Sequence, residues 1–291
     1  MNKIYIILPV HNRRDITLNF VGCLKVQRYQ NYQLILIDDG STDGTEEAVK
    51  NELSSTVIIK GKGNWWWAGG LQQGINWLKN NSINSHDIVL MINDDVTFDK
   101  FFLEKAVKIL EDKQHSLLLA QSFGKQTGLP VNIGVKADMK ALTFKQTFCE
   151  GEINCLATMG LFLRFADLLT IGNFYPNILP HYLSDYEFTI RAHQKGLKLC
   201  IHPELNIYVN EDTTGYSDLK KSKFIDFIKK YFSHKSMNNP MAWTAFIILS
   251  CPPKWIIFNI ARIWKRSIST IFNHALNTVF YQRDEKSNIS A

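Results

Sequence analysis

The feature that most constrains the fold is an alternation between residues 4 and 92, where short β-rich apolar runs take turns with segments of helical period. In order, the pattern predicts strand Ile4–Val10, helix 15–28, strand 33–37, helix 45–52, strand 57–60, helix 70–80 and strand 88–92. Strands separated by helix-length crossovers pair in parallel, so the expectation is an α/β chain with a parallel sheet wrapped by helices. The runs ILIDDG and IVLMINDD both stop at acidic or amide residues. These are strand C-termini, where open α/β sheets bind their ligands.

After a strand at 117–121 the alternation breaks down. A glycine-containing loop, an apolar segment over 153–165, a short helix and an aromatic loop over 174–182 follow. This predicts a mixed second half built onto the same sheet, with a strand and turn over 154–165. A helix is expected over 184–195, closed by Gly196 just past its end. Past Tyr216 the chain turns to Lys, Arg, Trp, Phe and Ile at roughly helical spacing, which divides it into a catalytic unit, 1–216, and a basic aromatic helical extension, 217–291.

With 291 residues, 45% of them hydrophobic and 21% charged, the chain can bury a sizeable core and is neither disordered nor fibrous. Five cysteines at 23, 149, 155, 200 and 251 have no paired spacing and no zinc-type combination with the histidines, so free thiols in a reducing compartment are expected. The run Ile4–Val10 follows only Met-Asn-Lys and is too short for a secretory signal, which places the chain in the cytoplasm. The apolar run 241–251 is cut by Pro252-Pro253 and Lys254, well short of the roughly 18 to 20 residues that span a bilayer.

Three clusters carry the chemistry. Pro9-Val10-His11-Asn12-Arg13 ends the first strand and Asp38-Asp39-Gly40-Ser41-Thr42-Asp43-Gly44-Thr45 ends the second. The acidic pair can accept hydrogen bonds from a nucleobase or from ribose hydroxyls, and Arg13 can balance phosphate charge. The same residues also make ordinary turn and N-cap chemistry. Asn93-Asp94-Asp95-Val96 follows the strand at 88–92 and sets carboxylates where a divalent cation could bridge them to a diphosphate, though a plain strand-end turn has the same composition.

Between them lies Gly61-Lys62-Gly63-Asn64-Trp65-Trp66-Trp67-Ala68-Gly69-Gly70-Leu71-Gln72-Gln73-Gly74. Its glycines permit close backbone approach to a sugar or phosphate, and a helix starting near Gly70 would aim its first amides at an anion. The tryptophans offer a stacking wall for a sugar ring or simply core packing.

In this order the clusters resemble the family 2 glycosyltransferases of the GT-A fold: P-V-[YH]-N-R, then [IV]-D-D-G-S-T-D-G-T, then the glycine-rich block, then the N-x-D-V variant of the D-x-D metal motif. The resemblance implies that Pro9, His11, Asn12 and Arg13 line a nucleotide pocket. Asp39, with Asp38 behind it, would meet the base, and Asn93 and Asp94 would lie by the ribose and diphosphate. Asp95 would ligate Mn²⁺ or Mg²⁺, and Trp66, Trp67, Gly69 and Gly70 would face the donor sugar. Trp66 replaces the usual Gly and Leu71-Gln72 surround the usual Asn, which reshapes that surface.

A second-half block, His181-Tyr182-Leu183-Ser184-Asp185-Tyr186-Glu187-Phe188-Thr189-Ile190-Arg191-Ala192, resembles the family's [FY]-x-E-D-x-[DE] stretch. There Asp185 matches the general base of inverting transfer, and Ser184 departs from the usual Glu. A carboxylate in a helix's first turn suits a base, and equally suits an N-cap. Glu187 is the second candidate base or an acceptor contact, with Tyr182, Met159 and Gly160 on the acceptor side. Asn210 stands where the family often carries a histidine near the metal.

The resemblance implies transfer of a sugar, hexosyl or rhamnosyl, from a nucleoside diphosphate donor of UDP or dTDP type to a glycan or lipid-linked glycan hydroxyl in bacterial surface polysaccharide assembly. A non-catalytic sugar-nucleotide-binding or assembly subunit of the same fold is the alternative, and a nucleotidyltransferase would need an early basic, glycine-rich triphosphate loop that is absent from the motif order. From Leu219 on there are twelve Lys/Arg and three Asp/Glu, so the first 218 residues carry −3 of the total +6. With Trp243, Trp255 and Trp264 this extension suits an anionic membrane surface on the inner face of the cell envelope, or a helical cap packed on the catalytic unit or on a second subunit of a homodimer. No nucleic-acid-binding module is recognisable.

Overall fold

A computed structural model describes residues 2–211 and 224–289, those of 278–289 through their backbone only. The elements run β1 Ile4–Val10, α1 Arg14–Lys25, β2 Tyr32–Asp38, α2 Thr45–Glu52, β3 Val57–Lys60, α3 Trp66–Lys79, β4 Ile88–Met91, β5 Val96–Thr97 and α4 Phe102–Asp112. They continue with β6 Ser116–Gly124, β7 Pro130–Asn132, β8 Gly134–Asp138, β9 Thr143–Thr147, β10 Leu161–Arg164, α5 Phe165–Ile171, α6 Ser184–Gln194 and β11 Lys198–Val209. The last three are α7 Phe224–Tyr231, α8 Pro240–Ser250 and α9 Pro253–Ile289.

The main sheet has the order β3-β2-β1-β4-β10-β6-β11-β5. Its first four strands are parallel, β1 pairing with β2 from Ile4↔Tyr32 to Val10↔Asp38 and with β4 from Ile4↔Ile88 to Ile7↔Met91. β10 enters antiparallel between β4 and β6, which makes the second half mixed, as its broken alternation predicts. Because side chains alternate across a strand, Ile4, Ile6, Leu8 and Val10 face a layer with α1 and α4, and Tyr5 and Ile7 face α3, α5 and α6. β1 is therefore buried on both sides. Its end is fixed relative to the ends of β2 and β4, which sets up the site.

Several boundaries differ from the sequence pattern for identifiable reasons. Helix α1 stops at Lys25, because buried Gln27 leaves the helical path to clamp Asp99 and Leu103: its Nε2 donates to the Asp99 carbonyl (2.8 Å) and its Oε1 accepts from Leu103 N (3.1 Å). Of the apolar segment 153–165 only Leu161–Arg164 becomes strand. Helix α3 starts at Trp66 rather than Gly70, so Gly69 and Gly70 lie inside it and are buried.

The apolar run 241–251 is helix α8, with Asn239 as its N-cap, accepting from Met241 N, and Pro240 in the first turn. No helix among the described residues is long and apolar enough to cross a membrane. Phe246 of α8 packs with Val135 and Ala137 of β8 and Ile190 of α6, so the C-terminal helices rest on the sheet-bearing body. The expected division at 216/217, the end of the stretch that follows Asn210, and Lys220, Lys221 and Lys223 lie outside the described residues.

Candidate functional site

The ends of β1, β2 and β4 are stitched together by side chains from segments roughly 30 and 80 residues apart. His11 Nδ1 lies 2.7 Å from the Asp39 carbonyl oxygen. Asn12, in the left-handed region at φ 51°, donates its backbone N–H to Ser41 Oγ (2.9 Å) and accepts at Oδ1 from Thr42 N (2.7 Å). Asn tolerates this conformation better than other non-glycine residues, and here its own amide oxygen bonds the loop that it faces. Arg13 reaches the end of β4, with Nη1 3.1 Å from Asp94 Oδ1 and Nη2 2.9 Å from Asp95 Oδ2.

Asp94 is 2% exposed and also accepts from the Thr17 hydroxyl (2.9 Å). Burial raises its carboxyl to about 6, against the pull of Arg13 and of the Thr17 hydrogen bond, while the neighbouring Asp95 charge pushes the same way as burial. Asp94 is thus the internal anchor for Arg13.

Asp39 turns inward. Its Oδ1 accepts from Gly63 N (2.8 Å) and Asn64 N (3.2 Å) and its Oδ2 from Trp65 N (2.7 Å). The anion aimed at the start of α3 is therefore this protein carboxylate, which locks the glycine-rich loop onto the end of β2. Asp38 accepts from Ser41 N at 2.8 Å. Both aspartates are buried, and the Asp39 carboxylate, expected to meet a base, is engaged by the three amides of 63–65. Pro9 abuts Gly70, where a Cβ would come within 2.9 Å of Pro9 Cβ.

Asp95 Oδ1 and Asn93 Oδ1 are buried acceptors with no hydrogen-bond partner, side by side at the end of β4. An orphaned carboxylate oxygen there fits a hard cation, and a neighbouring amide oxygen fits a hydroxyl donor. No group of three or more His, Cys, Asp or Glu that could hold a metal is found among the described residues, so any shell would be completed by ligand oxygens and water. Asn210 lies against the same turn, its N–H 3.4 Å from the Asp95 carbonyl oxygen, with its side-chain oxygen accepting from Gln126 Nε2 (2.7 Å).

A second group gathers around the start of α6. Leu183 sits at φ 69° and Trp66 at φ 56°, two bulky residues in the left-handed region on facing segments. The Trp66 ring is 6.0 Å from His181, 5.9 Å from His234 and 5.4 Å from Lys235 Nζ. Tyr182 packs its ring against His181 at 4.6 Å. Burial and the nearby Lys235 and His234 charges lower the His181 pKa, and its buried Nδ1 has no partner. Asp185 opens α6; its carboxylate is bonded by Thr158 and by the Ser184 hydroxyl (3.1 Å). Burial raises its pKa, and those hydrogen bonds oppose the rise. Trp67 Nε1 in turn donates to Thr158 Oγ1 (2.9 Å), which ties the first turn of α3 to the Asp185 environment.

The chain matches the family description "Glycosyl transferase family 2" over residues 5–169. The chain belongs to that family. It is 43% identical over 61 residues, 21% of this chain, to an uncharacterized glycosyltransferase of Haemophilus influenzae, and 30% identical over 117 residues, 39% of this chain, to EpsE of Bacillus subtilis. Those matches span 24% and 40% of the two relatives' lengths. In fold it is similar to S. aureus TarS 1-349, crystallised in complex with UDP-GlcNAc, with a TM-score of 0.60 at 15% identity over 97% of this chain and 92% of that one. The mixed sheet with flanking helices is the GT-A arrangement of such glycosyltransferases.

Against the family pattern, several positions do structural work instead. Glu187 is 2% exposed and forms a two-pronged pair with Arg191, Oε1 to Nε at 2.7 Å and Oε2 to Nη2 at 2.9 Å, so it is corrected from a second base or acceptor contact to a buried brace of α6. Gly160, at φ 85°, is buried where a Cβ would meet Ala120 and Ile207 at 3.1 Å, and Met159 packs on the core. Gly69 and Gly70 are close-packing positions against Trp65 and Pro9 rather than sugar contacts. Trp67 is half-buried and spends its N–H on Thr158; Trp66, equally half-buried, packs off the core against His181, His234 and Lys235 and is the tryptophan that stands at the rim. Sequence reasoning missed Thr17, Thr158, His234 and Lys235. Thr17 stands one helical turn from Arg13, a spacing that could have flagged it.

Proposed function

We propose that this family 2 member is an inverting glycosyltransferase that takes a sugar from a nucleoside diphosphate donor of UDP or dTDP type, hexosyl or rhamnosyl, and delivers it to a hydroxyl of a glycan or lipid-linked glycan. Its setting is surface polysaccharide assembly on the cytoplasmic side of a membrane. The observation that carries the reading is two half-sites near the end of β4: an Arg13-Asp94-Asp95 corner with an orphaned carboxylate oxygen, and a buried Asp185 at the start of α6 bonded by Thr158, which lies just ahead of β10 where that strand begins beside Met91.

In the proposed reaction His11, Asn12 and Arg13 cradle the nucleotide, and Asn93 accepts from a ribose hydroxyl. Asp95 is the protein ligand for Mn²⁺ or Mg²⁺, which when bound offsets charge on the diphosphate. The carboxylate of Asp185 takes the proton of the acceptor hydroxyl as that oxygen bonds to the anomeric carbon. The carbon–oxygen bond to the diphosphate breaks as the new bond forms, with inversion, and the bonding pair leaves with the diphosphate. The raised pKa of Asp185 makes it a stronger base than an ordinary aspartate once ionised. Trp66, Trp67 and Tyr182 shape the space between the two half-sites.

The test is Asp185→Asn. Release of nucleoside diphosphate in the presence of glycan acceptor is expected to fall by about 10²–10⁴-fold, with donor binding by calorimetry unchanged. Because the folded protein holds this carboxyl above its unfolded pKa, ionised Asp185 subtracts from stability above that pKa. The variant is therefore expected to melt at or above the parent temperature at neutral pH. Near-normal turnover would show the base assignment to be wrong.

A further inference from the structure

The C-terminal helices leave one face uncovered among the described residues. On α9, Asn259, Ile263 and Ser267 point into the protein and are buried. The opposite side carries Ile257 (78% exposed), Ile268 (63%) and Phe272 (61%). At about 100° per residue these three fall within about 60° of one another, so they form one stripe. On α8, Met241 and Ile248 are also exposed and flank Thr244 by one turn on either side. Trp264 Nε1 of α9 donates to Thr244 Oγ1 at 3.1 Å, which lays the two rows side by side as a single apolar face.

Charge says what this face meets. From Met241 to Asn277 the chain contains Lys254, Arg262, Lys265 and Arg266 and no Asp or Glu; at about 100° per residue Lys254 and Lys265 fall beside the stripe and form its border, while Arg262 Nη1 donates to the Lys140 and Ala141 carbonyls. A two-fold dimer through the face would set this basic border against its own copy, with no carboxylate on it to pair. An anionic bilayer surface answers both features at once: apolar side chains enter the headgroup boundary and the cations meet lipid phosphates.

We infer that the face made by Met241 and Ile248 of α8 and Ile257, Ile268 and Phe272 of α9 docks on an anionic phospholipid surface. This rests on the lipid-linked acceptor in the proposed function and names the surface that would reach it. The connection between α7 and α8 carries His234 and Lys235 onto Trp66 at the rim of the site. Docking through α8 and α9 thereby fixes that rim relative to the lipid plane.

The test is co-sedimentation of the full chain with vesicles of phosphatidylcholine alone or mixed with phosphatidylglycerol, alongside nucleotide binding by calorimetry. Binding is expected to the mixed vesicles and not to phosphatidylcholine, and to weaken as salt is raised. Ile257→Ser combined with Ile268→Ser and Phe272→Ser, all at exposed positions, should lower vesicle affinity about tenfold or more while nucleotide affinity is unchanged. Failure to bind mixed vesicles, equal binding by the triple variant, or a dimer in solution that the triple variant dissolves would each overturn the docking surface. Loss of nucleotide binding with vesicle binding intact would instead strike the proposed function and leave the docking surface standing.

Discussion

The two halves of the site are built on different plans. The proposed nucleotide side is assembled from contiguous motifs at three strand ends, and most of its polar side chains pair with one another, Arg13 with Asp94 and Asp95, Asp39 with the amides of 63–65, Asn12 with Ser41 and Thr42, leaving open the Asn93 and Asp95 Oδ1 atoms after β4. The side around Asp185 draws single residues from far-apart segments, Trp66, Thr158, His181, Asp185 and Lys235, and keeps an unpaired His181 nitrogen and two bulky residues in the left-handed region. A web paired within itself, with its open oxygens confined to one turn, gives a rigid receptor for one constant ligand. A looser, strained assembly gives a surface that can be reshaped for a particular sugar and acceptor.

This contrast can be broken by mutation. The largest expected loss of stability is at Glu187→Ala, which takes the counter-charge from a mostly buried Arg191, leaving it the Ile171 and Asn173 carbonyls, and should cost about 4 kcal/mol in denaturant unfolding. Turnover per folded molecule should stay normal; a catalytic Glu187 would give the reverse. Asp39→Ala removes the acceptor for three backbone amides and should cost about 3 kcal/mol. It should also abolish nucleotide binding, because the loop over 61–65 is no longer held to β2.

Gly70→Ala forces a Cβ to within 2.9 Å of Pro9 and should cost about 2 kcal/mol, measured by thermal unfolding, with weaker nucleotide affinity and little change around Asp185. The smallest effect is expected at Thr158→Val, about 1 kcal/mol in the barrier to transfer. Thr158 donates to the ionised Asp185, so losing its hydroxyl raises a pKa that burial already lifts. Activity needs the ionised base, and the acid limb of the pH–rate profile should therefore move to higher pH. Cys155 and Tyr186 also face this carboxylate, and both are held protonated by burial, so neither titrates in that window.

Legibility follows the same division. The parallel half of the sheet was readable because each strand is a compact apolar run ended by its own polar cluster, and Thr45–Glu52 and Val57–Lys60 fall where the pattern puts them. The residue types gathered at the ends of β1, β2 and β4 were readable too, but not how they are spent. That Asp39 caps 63–65 depends on a loop closing across the end of β2, which no local pattern encodes. Glu187 and Arg191 stand four apart on one helix, the spacing of an ion pair, and the family pattern outweighed that plainer reading. Thr158 is a single hydroxyl in an apolar stretch, and Lys235 is one basic residue in a basic tail; only tertiary packing distinguishes them.

The central claim is that the Arg13-Asp94-Asp95 corner is a cation-assisted nucleoside diphosphate site. Its most direct measurement is a calorimetric titration of the protein with UDP, dTDP and GDP, each with and without Mn²⁺, repeated on Asp95→Ala. Cation-dependent binding of one nucleotide, lost in the variant, is the predicted result. Absence of binding to all three by folded protein, or binding that neither Mn²⁺ nor Asp95→Ala alters, would contradict it.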